Sequence, residues 1–512
     1  MNQINMITNV LEYLERAAEE HPDKKAFSDE HGDIAYGKLT ETARRGGSFL
    51  AETLQERNRP VAVLIDRNVN TLIAFMSIVY SGNFYCPVDV NLPRGRQELI
   101  METLQPACLI NAAGGSAEYA VKTFSMEEIT GGDIREEVLA DIRNSAIDTD
   151  PLYAIFTSGS TGVPKGVLVC HRSVIDLAEQ FSRTFHFTED TIIGNQAPFD
   201  FDVSTKDIYV CLSKGASLEV IPKKLFSLPG LLVQYLEDRK ITTIFWAVSA
   251  MRIIENFKAF DRMTPGYLRQ ILFSGEVMSN KVLNYWRRYI PDAMYVNLYG
   301  PTEITCNCTY YIVDREFADD ETLPIGKAFR NTGVFLLGED GKPIREAGKE
   351  GELCVRGTCL ALGYYRNPEK TEEAFTPNPC NGSYSEKIYH TGDMARYNEK
   401  NELEFCSRKD YQIKHMGHRI ELGEIEIIVN SLSFIDAACC VHDSVEGKIY
   451  LFYQAGEACD KRIIEGLKEK LPKYMWPNRY CYMECLPVNK NGKIDRVRLK
   501  EEYIGKNSER EG

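Results

Sequence analysis

The chain has 512 residues, of which 44% are apolar and 26% charged, and its formal net charge at pH 7 is −14. The length suits one large and one small unit and the composition is that of a globular chain. The negative balance excludes broad nucleic-acid binding, because a phosphate backbone would be repelled over most of the surface. The opening residues Met1 to Met6 are not followed by a basic and then a long apolar run, so no signal peptide is expected. No apolar stretch approaches the ~20 residues of a membrane helix. Fifteen cysteines lie scattered, without a paired C-x-x-C framework or nearby histidine spacing, and read as reduced core residues of a cytoplasmic protein.

In chain order, Pro60–Asp66 predicts a buried strand. Leu72–Tyr80 predicts the helix that packs on it, ended by Gly82. The same alternation continues through the first two thirds and implies an α/β fold with parallel-rich sheets covered by helices. The run Leu152–Phe156 predicts a strand that feeds the loop Thr157-Ser158-Gly159-Ser160-Thr161-Gly162-Val163-Pro164-Lys165-Gly166. Its glycines admit backbone N–H groups to an anion, its hydroxyls add donors and Lys165 adds charge, so it suits phosphate. It is not a Walker A motif, since Pro164 precedes the lysine and Gly166 follows it.

Further along, Asn297-Leu298-Tyr299-Gly300-Pro301-Thr302-Glu303 offers an aromatic ring for a base, a hydroxyl for a phosphate and a carboxylate for Mg²⁺. Tyr389-His390-Thr391-Gly392-Asp393 sets a carboxylate after a glycine turn, fit for two ribose hydroxyls, although a bare T-G-D also forms an Asx turn. Around Ser407–Asp410 the sequence turns polar. Beyond it Ile425, Ile428, Val429 and Leu432 predict one amphipathic helix of a small α+β C-terminal domain. The expected division is 1–408, 409–505 and a solvated tail 506–512. Asn491-Gly492-Lys493 places a lysine on a turn.

These clusters, in this order, resemble the adenylation enzymes that activate a carboxylate with ATP and pass it to a thiol. Phe201-Asp202-Val203-Ser204, Gly351-Glu352-Leu353 and the string from Gln412 through Gly417-His418-Arg419-Ile420-Glu421-Leu422-Gly423-Glu424 extend the resemblance over nearly the whole chain. They point to the amino-acid-activating branch, similar to stand-alone nonribosomal peptide adenylation enzymes and D-alanine:D-alanyl carrier protein ligases. The chain ends sixteen residues past Arg496, so a phosphopantetheinylated carrier protein is expected as a separate chain.

The resemblance implies the following roles. Lys493, Thr302 and Glu303 are catalytic, with Glu303 on Mg²⁺. Thr157, Ser158, Gly159, Ser160, Thr161, Gly162, Lys165, Gly275, Glu276, Asn297, Tyr299, Gly300, Asp393 and Arg408 hold ATP. Asp410 is the hinge on which the C-terminal domain turns, and Gly417 lines the tunnel of the thiol. Asp202 pairs with an α-ammonium, and Val203, Lys206, Trp246, Leu272, Ser274, Leu298, Cys306 and Asn307 line the rest of the pocket. With Trp246 filling that pocket, a small amino acid is expected. Lys206 is read as reaching solvent along its apolar stem, with pairing to an acidic or amide side chain as the alternative. An acid:CoA ligase and a catalytically silent nucleotide-binding scaffold are the readings from other classes.

Overall fold

Strands that are apolar along their whole length need cover on both faces, and the fold supplies it. In the computed structural model, Pro60–Ile65 is buried at every residue and pairs in parallel with Phe84–Asp89 and Cys108–Asn111. The helix Val69–Tyr80 starts on Asn68, whose side chain accepts the N–H of Thr71. It ends just ahead of Gly82, which takes the left-handed φ of +71° that a side chain would disfavour. The structure describes residues 6–115, 118–158, 163–319, 321–409, 412–443, 446–488 and 494–504. Within these no helix is long and apolar enough to cross a membrane.

The chain divides into two compact units, the first made of Met1–Val90, Leu104–Phe156 and Gly166–Lys409. Its longest sheet has nine strands, with Ile192–Asn195, Thr243–Ala247, Gln270–Ser274 and Met294–Tyr299 side by side and parallel at its centre. A seven-stranded sheet is built around Pro60–Ile65, and a six-stranded antiparallel sheet around Gly351–Gly357 and Lys387–Tyr397. One hydrophobic core joins all three, including Val63, Leu272 and Tyr389.

The second unit holds Asn91–Thr103, Thr157–Lys165 and Asp410–Gly512. A tight hairpin, Gln412–His415 with His418–Glu421, leads into the helix Leu422–Asn430 and a three-stranded sheet. Ile425 and Val429 are buried against Leu451 and Ile463. The helix stops at Asn430, before Leu432. There the Asn430 side chain bonds both the N–H and the carbonyl of Ala438, tying the helix end to the next strand. Leu432 still packs on the same core from beyond the helix.

Two interior glycines show how closely the first unit packs. Gly46 and Gly47 sit in the helix Tyr36–Leu54, where glycine costs about 1 kcal/mol relative to alanine. A Cβ on Gly47 would fall 2.4 Å from Cβ of Tyr80, and one on Gly46 would fall 2.3 Å from Oγ of Ser77. The helix Val69–Tyr80 can approach only because both are bare. Gly47→Ala should therefore destabilise the protein by about 1–3 kcal/mol despite its better helix propensity, read as a lower midpoint in denaturant unfolding. A raised midpoint would show that propensity decides.

Candidate active site

The central strands of the nine-stranded sheet run parallel and in register, Phe245 opposite Leu272 opposite Val296. Ligands of open α/β sheets bind outside the carboxyl ends of such strands. At that edge Tyr299, the last residue of its strand, donates its hydroxyl to Oδ2 of Asp393. Oδ1 of Asp393 accepts from Nη1 of Arg408 at 2.5 Å. Burial holds the Tyr299 hydroxyl well above the usual phenol range, so it keeps its proton and remains a donor. Asn297 is buried and gives its Nδ2 to the carbonyl of Pro324 at 2.8 Å.

Beyond Tyr299 the chain makes a 3₁₀ turn, Thr302–Ile304, and then a strained reversal. Thr305 and Cys306 both have left-handed backbones, φ +56° and +76°, which a β-branched residue such as threonine rarely adopts. The reversal presses against Gly300, where a Cβ would lie 2.5 Å from the carbonyl oxygen of Cys306 and 2.6 Å from Cα of Asn307. Only glycine fits. Glu303 is fully buried; its Oε1 accepts the Tyr364 hydroxyl at 2.7 Å, and its carbonyl accepts the N–H of Ala361. Thr302 is buried beside it in the same turn. Gly275, at φ +94°, closes the neighbouring strand and leads to Glu276.

Asp202 stands at the N-terminal end of the helix Val203–Lys214 without a side-chain capping bond and is buried; Val203 is half-buried. Lys206, one turn on, is 1% exposed, so the expectation that it reaches solvent is overturned. Its Nζ donates to Oδ1 of Asn307 at 3.1 Å and lies 3.6 Å from Sγ of Cys306. Burial pushes the Cys306 thiol up to about 12, so it is neutral. Leu272, Ser274 and Leu298 are buried, and both leucines belong to the core of the first unit.

Trp246 is not with them. Side chains alternate along a strand, and Trp246 points into a separate core, edge-on to Trp286 and Phe226, with Nε1 donating to the carbonyl of Gly194 at 3.0 Å. The residue on the Lys206 side is Phe245, whose ring centroid is 5.9 Å from Nζ. The inference of a small pocket drawn from Trp246 loses its ground. Reading the period of two in Thr243–Ala247 against Leu272 was the signal that marks Phe245 instead.

Gly159, Ser160, Thr161, Gly162, Asp410 and Lys493 lie outside the described residues. Thr157 ends its strand and Lys165 begins the next. Ser158, grouped with the second unit, donates Oγ to the carbonyl of Arg419 at 2.7 Å. Gly417, at φ +82°, and Met416, at φ +53°, form the two-residue turn of the hairpin, a local reason for glycine there. Tyr364, the partner of Glu303, was not anticipated as part of the site.

The chain belongs to the AMP-binding enzyme family, whose model matches residues 14–365. It is 31% identical over 514 residues to the D-alanine--D-alanyl carrier protein ligase of Bacillus licheniformis, covering 96% of this chain and 99% of that one. To tyrocidine synthase 1 of Brevibacillus parabrevis it is 30% identical over 96% of this chain, but spans only 45% of that relative. Among solved structures, IdnL1 superposes with a TM-score of 0.82 at 27% identity, covering 94% of this chain and all of that one.

The two neighbours on the strand Thr243–Ala247 separate packing from recognition. Trp246→Phe should lower stability by about 1–3 kcal/mol, since the Gly194 carbonyl loses its donor, and leave the substrate profile unchanged. Phe245→Ala should change that profile. Unfolding midpoints and the relative kcat/KM across substrates check both.

Proposed function

We propose that this chain activates an amino acid with ATP and passes the aminoacyl group to the phosphopantetheine thiol of a carrier protein. The observation that carries the reading is the presence in one unit of two carboxylate stations: Asp393, held by Tyr299 and Arg408, and the buried Asp202 at the head of its helix. The first suits ribose hydroxyls and the second an α-ammonium. The likeness to a D-alanine--D-alanyl carrier protein ligase along its full length supports the same reading.

In the proposed reaction an oxygen of the substrate carboxylate attacks the α-phosphorus. The bond to the bridging oxygen of the β-phosphate breaks, and pyrophosphate leaves. Asp202 orients the substrate through its ammonium, which disfavours plain carboxylic acids and counts against the usual acid:CoA ligases. Tyr299 and Asp393 orient the nucleoside, Ser158, Ser160, Thr161 and Lys165 hold the outer phosphates, and Lys493 stabilises charge on the carboxylate and α-phosphate. The oxygen-only donors Thr302 and Glu303, the latter kept in place by the Tyr364 hydroxyl, fit a hard cation. Mg²⁺ held there supplies charge neutralisation to the phosphates. In the second step the carrier thiolate attacks the acyl carbon, the C–O bond to AMP breaks and AMP leaves. Rotation about Asp410 exchanges Lys493 for the arm that passes Gly417.

ATP–pyrophosphate exchange across the amino acids with Mg²⁺ tests the reading, and exchange with none of them would overturn it. Lys493→Ala should abolish exchange while ATP binding, followed by calorimetry, persists; undiminished exchange would remove the lysine from the mechanism. Asp202→Ala should lower kcat/KM for amino acids by at least about 100-fold, the cost of leaving an ammonium unpaired.

A further inference from the structure

Lys206 is a buried cation that forms no ion pair with any carboxylate of the described residues. Its side chain is 1% exposed, yet among the described residues no carboxylate oxygen lies within the 4.0 Å of an ion pair. Its partners are the amide oxygen of Asn307, the neutral thiol of Cys306 and the ring of Phe245. An ammonium has three N–H donors, so at least one is left over. A buried charge in this condition is costly unless something arrives to pair with it.

The nearest acid along the helix does not fill that role. Asp207 is fully buried and feels the charge of Lys206, but its Oδ2 accepts from Nδ2 of Asn195 at 2.6 Å and it forms no ion pair with the lysine. Burial raises its carboxyl well above the usual carboxylate range, against the pull of Lys206, its Asn195 hydrogen bond and Arg67. Asp202 lies four residues before Lys206 on the same helix, which puts the two on one face with Cβ atoms roughly 5–6 Å apart. That face thus presents a carboxylate and an ammonium one helical turn apart, with the Phe245 ring beside the lysine. A ligand complementary to this face carries a positive group at one end and a negative group a few bonds away.

We infer that the substrate is an α-amino dicarboxylate, its α-ammonium on Asp202 and its side-chain carboxylate on Lys206, with Asn307 holding the lysine in place. This rests on the proposed amino-acid activation and narrows it. An alanine-sized substrate would leave the buried ammonium unpaired, and an amide side chain would give it an acceptor without neutralising it. The same chemistry makes D-alanine a poor fit to this pocket, whatever the likeness in length to ligases of that amino acid.

The test is ATP–pyrophosphate exchange by the full chain with Mg²⁺, using both enantiomers of aspartate, glutamate, asparagine, glutamine, alanine and serine. One dicarboxylate should exceed its own amide, and alanine, by at least about 100-fold in kcat/KM. Lys206→Met should erase most of that ratio by weakening use of the acid. If an amide, alanine or serine is instead the best substrate, amino-acid activation stands and this inference falls. No exchange with this panel or with the remaining proteinogenic amino acids, added under the same conditions, removes the activation reading and this inference with it. Should Lys206→Met fail to fold, the acid-to-amide ratio of the unaltered protein decides alone.

Discussion

Much of the site hangs on one close approach, the backbone of Cys306 and Asn307 against Gly300. Two successive non-glycine residues in left-handed geometry are strained by about 1–3 kcal/mol each, and such strain persists only where the surroundings over-determine it. Here Oγ1 of Thr305 donates to the carbonyl of Cys359 at 2.8 Å, and the N–H of Cys308 donates to the carbonyl of Tyr299 at 2.8 Å. The reversal has two faces of use. Before it stand Tyr299, Thr302 and Glu303, the groups suited to a nucleotide. After it come Cys306 and Asn307, which meet Lys206. A single turn therefore sets the spacing between the two halves of the proposed reaction.

Charge is managed locally in a chain that is acidic overall. Asp393 and Arg408 form a close ion pair that is largely out of water, so their geometry is set before any ligand arrives. Arg67 ties the ends of two neighbouring strands by donating to the carbonyls of Asn195, Gln196 and Ile221. Burial lowers its pKa to about 10, which still leaves it charged at neutral pH. Lys206 differs from both, being satisfied in part by neutral groups. A stability cost retained at one buried residue of a proposed pocket is the pattern expected where binding, not folding, is served.

The motif residues were legible because their chemistry is local. Asp393 after Gly392, the carboxylate of Glu303 after Thr302, and the glycine- and hydroxyl-rich loop proposed for phosphate each announce themselves within a few positions. The strand Pro60–Ile65 and the helix after it were likewise readable, since periodicity and caps lie in the sequence itself. The limits of local reading show at Leu432, where the apolar spacing continues although the Asn430 side chain has already turned to the next strand. They show again in the grouping of residues 91–103 and 157–165 with the C-terminal segment, which a division at one point in the chain does not anticipate.

By itself, then, the sequence determined the family and the α/β class, and it named the charged groups proposed for catalysis, because these depend on residue type and short spacing. Tertiary structure alone decided which of two adjacent aromatics faces Lys206, since one residue of strand register sends Phe245 to one layer and Trp246 to the other. It alone decided that Lys206 is buried, because a lysine stem can as readily run to solvent as fold inward. Side-chain direction and burial are properties of the packed layers, and no single segment carries them.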